Sequence, residues 1–210
     1  LAELDISSIG VLYWAMKPNS KHIMHKKKKN CKITIINERS FYNCINLVQI
    51  DLPDQITRID SLAFGNCYKL EEIILPKNLE ILGYSFISGC NLIKNITIPK
   101  SFRKAHTGNY YSFVGSSIEE VTFEEGTTNI ADSIFYGEIT TLKNINFPNS
   151  LTSIGSYSFT KCSSLTEINI PKNVTYIGSS AFSFTNIKTL ILPNELITLS
   201  KSAFEKCEQL

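Results

Sequence analysis

Apolar residues in this chain do not hold one helical or strand period for long; they return in blocks. Residues 162–182 read Cys-Ser-Ser-Leu-Thr-Glu-Ile-Asn-Ile-Pro-Lys-Asn-Val-Thr-Tyr-Ile-Gly-Ser-Ser-Ala-Phe. The block opened by Cys67 sets Leu70, Ile73, Leu75, Pro76, Leu79, Leu82 and Gly83 at the same offsets, and the block opened by Cys44 sets Leu47, Ile50, Leu52, Pro53, Ile56, Ile59, Ala63 and Phe64 there. Block starts fall at 44, 67, 90, 115, 139, 162, 184 and 207, so the spacing stays between 22 and 25 residues. Repetition this even predicts a solenoid, in which no coil buries its own apolar face and each stacks on its neighbours.

Each block has a physical reading. Apolar residues at offsets +6 and +8, with a polar one between, predict a short strand with one buried face. Proline cannot donate to a ladder, and at offset +9 it ends that strand in six of seven blocks, as Pro53, Pro76, Pro99, Pro148, Pro171 and Pro193, with Glu124 in the seventh. A second apolar pair at +12 and +15 turns back into the core, and Gly83, Gly155 and Gly178 at +16 predict a tight or left-handed bend there. Ala-Phe at +19 and +20 adds one small and one large wedge.

Departures from the pattern set further expectations. Phe86-Ile87 replaces Ala-Phe in its block, and the block from Cys90 becomes irregular through Lys104 to Gly115, where two extra residues predict a lobe carrying Tyr110, Tyr111 and Phe113 that bulges from the stack. Upstream, Ile33, Ile36, Ser40 and Phe41 supply the second half of a preceding coil, with Leu4-Asp5-Ile6 as its strand. The predicted organisation is one continuous domain: a degenerate coil over 1–43 carrying a basic insertion at about 10–32, then a solenoid over 44–210 of seven repeats plus a truncated eighth. Cys207-Glu208-Gln209-Leu210 opens a new repeat, and neither end offers the polar cap a solenoid normally carries, so a longer parent chain is expected.

The string Cys-x-x-Leu-x-x-Ile-x-Ile-Pro-x-x-Val-x-x-Ile-Gly-x-x-Ala-Phe resembles the BspA-type leucine-rich repeat, a family of surface proteins in mucosal bacteria and protozoan parasites. The resemblance implies a leucine-rich repeat solenoid of the α/β horseshoe class, β-rich, with stacked parallel short strands and turns or short 3-10 or helical segments on the opposite side. It also implies a location at the cell surface or outside the cell, and adhesion to host, matrix or cell-surface proteins or glycans.

Composition narrows the chemistry. An apolar content of 43% suits an ordered protein with a sizeable core, and the longest apolar-leaning stretch, Ile9 to Met16, is short of the ~18 residues a membrane span needs. The net charge of +2 averages two unlike regions: residues 1–32 hold seven Lys against Glu3 and Asp5, or +5, while the rest holds 14 basic and 17 acidic residues, or −3. Cys44, Cys67, Cys90, Cys162 and Cys207 all open blocks, in a slot shared with Gly115 or Ile139, which marks them as small, buried core residues; coils ~4.8 Å apart would also allow a disulfide between neighbouring Cys, and free thiols are the favoured reading. Cys31 is out of register and lies near His22 and His25; with no fourth ligand in a lysine-rich segment, no metal site is assigned. The run Lys26–Lys29 lacks interleaved aromatics or Arg and reads as a solvated loop, so no nucleic-acid partner is expected. No phosphate loop, dinucleotide fingerprint or nucleophile elbow occurs, and no cofactor is expected.

Stacked strands turn the residues between the buried ones into surface ladders. Offset +5 gives Gln49, Glu72, Asn95, Glu120, Asn144, Glu167 and Thr189; offset +7 gives Asp51, Ile74, Thr97, Thr122, Asn146, Asn169 and Ile191; offset +4 alternates Glu71, Lys94, Glu119 and Lys143. The +5 and +7 ladders are the candidate binding face, for a protein or glycan ligand. Glu72, Glu120 and Glu167 recur on every second coil, ~10 Å apart, near the outer limit for paired glycosidase carboxylates. Like charges on adjacent strands repel, so simple avoidance gives the same alternation, and no enzyme is expected. Asn95-Ile-Thr97 and Asn173-Val-Thr175 are glycosylation sequons for a eukaryotic secretory route. The rival reading is an intracellular, cytoplasmic interaction scaffold or a structural spacer, which unpaired thiols also suit.

Overall fold

The computed structural model describes residues 22–23, 32–105, 111–137 and 139–210. They form a succession of short parallel strands and turns with no helical residue among those described. Two strand ladders run along the stack. One follows the predicted strand slot: β6 (Asn95–Ile98), β8 (Glu120–Phe123) and β10 (Asn144–Asn146) form a parallel sheet in the order β10-β8-β6. In the same slot of the first repeat, β3 (Leu47–Gln49) pairs with β1 (His22–Ile23). That pairing puts His22–Ile23, from the segment read as an insertion, where Leu4-Asp5-Ile6 was expected; the latter lies outside the described residues.

The second ladder was read from sequence only as an apolar pair returning to the core. It is strand as well. β2 (Ile35–Ile36), β4 (Arg58–Ile59), β5 (Ile81–Leu82) and β7 (Lys104–Ala105) stack in one parallel sheet, and β9 (Asn129–Ile130), β11 (Ser153–Ile154), β12 (Tyr176–Ile177) and β13 (Thr198–Leu199) in another. Ile59, Leu82, Ile154 and Ile177 point inward with no exposure and close the core from this side.

Turns, rather than the alternative of short helices, connect the second ladder to the next coil. These turns carry pairs of left-handed residues four apart, such as Arg39 and Asn43, Leu62 and Asn66, Ser133 and Gly137, or Tyr157 and Lys161. A left-handed L-residue breaks a helical run, and alternate N–H groups are spent on the neighbouring coil: Phe41 N–H donates to Ala63 O at 2.7 Å, Phe159 N–H to Ala181 O at 2.8 Å and Phe182 N–H to Ala203 O at 2.8 Å. The phenylalanines so held form a spine. Phe135, Phe159, Phe182 and Phe204 stack face to face at 5.7, 5.3 and 5.2 Å, and Phe113 continues the row at 4.5 Å from Phe135.

Three sequence expectations change here. The lobe does not bulge where Tyr111 and Phe113 stand: Phe113 is fully buried between Phe86 and Phe135, and Tyr111 packs between Tyr84 and Tyr136. Tyr110 lies outside the described residues. Gly83, Gly155 and Gly178 are not left-handed; they are required by close coil approach, since a Cβ on Gly83 would lie 2.2 Å from Ser61 N, on Gly155 2.6 Å from Ile130 O and on Gly178 2.5 Å from Ser156 N.

The third change concerns the slot of the cysteines. Cys67, Cys90 and Cys207 donate their thiols to the carbonyls of Phe41, Phe64 and Phe182 in the preceding coil, at 3.2, 3.0 and 3.2 Å. The backbone N–H of the slot closes the turn, as Cys44 does onto Phe41 O and Cys162 onto Phe159 O. Ser116, whose N–H donates to Phe113 O, and Thr185, whose hydroxyl donates to Phe182 O, fill this slot. Gly115 and Phe184 are instead the left-handed residues before it, with φ of 73° and 59°. A one-residue shortening follows in both coils, so that Ile118 and Ile187 still reach the core. The five thiols within the described residues are unpaired and buried.

Candidate binding face

The face is built by the pleat. Ile96, Ile98, Val121 and Phe123 turn inward and are buried, so their sequence neighbours must turn outward. The parallel register sets Asn95, Glu120 and Asn144 side by side, and Thr97, Thr122 and Asn146 beside them. Those six candidate residues are thus brought together on one three-stranded sheet. Asn146 ties them laterally: its amide donates to Glu120 Oε1 at 2.6 Å and to Thr122 Oγ1 at 3.0 Å. Cross-strand polar pairs of this kind hold side chains in fixed orientation on the solvent side of a sheet.

One position earlier, opposite charges meet across the coils. Glu119 accepts from Lys143 Nζ at 2.7 Å and lies 3.3 Å from Lys94 Nζ. The hydrogen bond from Lys143, reinforced by that from Lys94, holds the Glu119 carboxyl below its ordinary value of 4.5. This is the alternation expected at offset +4, seen for its last three members.

The other candidates lie on the same slot but outside that sheet. Gln49 is exposed at the end of β3; Glu72, Ile74, Glu167, Asn169, Thr189 and Ile191 are exposed in segments that belong to no sheet; Asp51 is half-buried. Ile74 and Ile191 are unusual for the face, with 66% and 84% of their area in solvent. Of the sequon asparagines, Asn95 is exposed on β6, and Asn173 is exposed while its amide donates to Asn149 O at 2.8 Å.

A second polar row went unrecognised in the sequence. Thr57, Thr152 and Thr175 precede the strands of the second ladder and donate their hydroxyls to the carbonyls of Thr34, Thr128 and Thr152 one coil back, at 3.4, 2.9 and 3.3 Å. The signal was present as threonine recurring two residues before the apolar residue at +15. Among the described residues no group of three or more His, Cys, Asp or Glu is arranged to hold a metal ion, and no helix is long and apolar enough to cross a membrane. His25, Cys31 and Lys26–Lys29 lie outside the described residues.

Among solved structures the chain is similar to a leucine-rich repeat protein from Bacteroides ovatus, at 26% identity and a TM-score of 0.53 over 82% of this chain and 50% of that one. It shares its fold with a leucine-rich repeat protein from Eubacterium ventriosum, at 22% identity and a TM-score of 0.56 over 76% of this chain and 42% of that one. The chain therefore spans half or less of the length of these proteins. No curated protein matches it. The sequence profile of the BspA type leucine rich repeat region matches residues 21–138 and 106–210, in six copies, and the chain belongs to that family.

Proposed function

We propose that this chain is a non-catalytic adhesion module that presents the strand-lined face of its solenoid to a host, matrix or cell-surface protein from a location at the cell surface or outside the cell. One observation carries the reading: the side chains of Asn95, Thr97, Glu120, Thr122, Asn144 and Asn146 stand outward in register on a three-stranded sheet, cross-linked by Asn146. Repeat solenoids bind through extended surfaces of this type, many modest contacts adding up along the stack. The mixed charge of the face, with Lys94, Glu119 and Lys143 beside neutral amides, suits a protein partner, because complementary charges fix register and reject wrong partners. Exposed Ile74 and Ile191 add apolar anchors on the same ladder.

The test is binding of the purified chain to immobilised extracellular-matrix proteins and to cultured cells, against a variant carrying Glu72→Lys, Glu120→Lys and Glu167→Lys. Binding should be altered several-fold in the variant with far-UV circular dichroism unchanged. Absence of binding by the parent chain, or equal binding by the variant, overturns the reading.

A further inference from the structure

We propose a second recognition surface on the turn edge of the solenoid, away from the strand face: a row of tyrosines that takes an extended neutral polysaccharide. Tyr84, Tyr111, Tyr136 and Tyr157 come from four successive coils and touch ring to ring, with centroids 6.2, 5.0 and 6.0 Å apart. The two end rings are the most open, Tyr84 at 40% and Tyr157 at 44% of their area, while the inner two are half-buried. Core packing does not require aromatics here, since the neighbouring phenylalanine spine already fills the interior.

The surroundings select the ligand class. The turn segments 84–89, 111–116, 133–137 and 157–161 consist largely of Ser, Gly and Tyr, with Lys161 as their one charged residue, the mixture that recognition loops use to combine rigid aromatic contact with adaptable hydrogen bonding. One lysine set against exposed Asp132 at the neighbouring turn disfavours a sulfated or acidic glycan, which needs several Lys or Arg to offset its desolvation. A polyproline helix docks between aromatic walls, whereas these rings touch one another, edge to face in the two outer pairs and tilted in the middle one, and leave no slot between them. A run of four aromatic rings can meet the apolar faces of successive sugars, and the ring spacing of 5.0 to 6.2 Å is close to the length of one sugar unit in an extended polysaccharide.

Affinity electrophoresis of the full chain tests this, in native gels containing hydroxyethyl cellulose, yeast mannan or dextran sulfate, with a proline-rich peptide titrated separately. The parent chain should be retarded by at least one of the two neutral polysaccharides, with little change at high salt. The Tyr84→Ala/Tyr157→Ala variant should weaken that retardation by about tenfold in dissociation constant, the worth of two aromatic contacts, while Tyr84→Phe/Tyr157→Phe retains most of it. The Glu72→Lys/Glu120→Lys/Glu167→Lys variant should be retarded like the parent, which separates this surface from the strand face. Retardation by dextran sulfate alone, binding of the peptide alone, no retardation in either neutral polysaccharide, or an unaffected alanine variant with circular dichroism unchanged each overturns the proposal.

Discussion

Replacing Phe159 by Ala tests whether the stacked phenylalanines hold the coils together. Phe159 has no exposed area, stacks on Phe135 at 5.7 Å and on Phe182 at 5.3 Å, and meets Phe147 and Phe123 edge to face at 5.9 and 6.5 Å. Removing a fully buried ring costs its transfer free energy plus a cavity, about 3–5 kcal/mol. Phe204, in the same slot at the end of the row, is only partly buried and stacks on Phe182 alone at 5.2 Å, so its removal should cost about 1–2 kcal/mol. Phe159→Leu keeps most of the apolar volume and loses the ring contacts, each worth about 0.5–1.5 kcal/mol and not additive; a cost between the two is expected. Urea unfolding followed by far-UV circular dichroism gives the three midpoints. Because each coil touches only its neighbours, a break at Phe159 should also lower the slope of the transition as the two halves unfold separately. Equal losses for Phe159→Ala and Phe204→Ala would refute the spine as the element that couples coils.

Backbone conformation gives the next prediction: Lys161→Gly and Phe184→Gly, at left-handed residues with φ of 65° and 59°, should each stabilise by about 0.5–1 kcal/mol, whereas Gly178→Ala should cost about 1–3 kcal/mol by pressing on Ser156 N, all read from urea midpoints. Thr127 is buried in an otherwise apolar slot with its hydroxyl unpartnered, so Thr127→Val should stabilise by about 1 kcal/mol in the same assay. Glu119 is held below 4.5 by Lys143 and Lys94; its contribution is complete above its unfolded value and lost as pH falls through the lower folded one. An NMR titration should place its midpoint below 4.5 in the parent chain and higher in Lys143→Met, and identical midpoints would remove the ion pair from the account. Burial pushes the Cys44 and Cys162 thiols up, and contact with Cys90 together with burial does so for Cys67. The five described thiols are all buried, so a maleimide should modify at most one of the six cysteines in the native chain and all six in urea.

The period, the buried slots and the outward ladders were legible because each is a statement about which side chains face water, and hydrophobic pattern reports that directly. Leu70, Ile73 and Leu79 are buried where the pattern puts them, and Asn95, Glu120 and Asn144 pair as the ladder requires. What the pattern does not carry is backbone conformation. Two strand residues with one buried side chain, as in Arg58–Ile59, are too short to show alternation, so the second ladder went unseen. Tight or left-handed bends were assigned to Gly83, Gly155 and Gly178 because glycine permits them, yet the left-handed residues are others, among them Leu62, Tyr157 and Lys161. There the hydrogen bonds to the next coil decide, and they join residues about a repeat apart. The misplacement of the cysteine slot onto Gly115 and Phe184 has the same origin: a glycine or phenylalanine beside the slot mimicked it, and the missing residue that follows kept the spacing of the next apolar position intact.

That cancellation explains why the outward strand face survives the correction and leads to a last prediction. A strand that slips by one residue turns its buried side chains to solvent, so length changes can persist only where they are undone before the strand. At Ser116 and Thr185 they are undone within two residues, by Ile118 and Ile187. The turn edge is constrained otherwise: its backbone is set by coil-to-coil hydrogen bonds such as Ser133 N–H to Ser156 O and Tyr157 N–H to Ser179 O, and its outward side chains are free to differ. The strand face and the tyrosine row therefore share no hydrogen bond or ring contact among the pairs that define them. Stability changes from Tyr84→Ala/Tyr157→Ala and from Glu72→Lys/Glu120→Lys/Glu167→Lys should then add within ~0.5 kcal/mol in the combined variant. A larger coupling, measured by urea unfolding of the four proteins of the cycle, would show that the two edges are one cooperative surface.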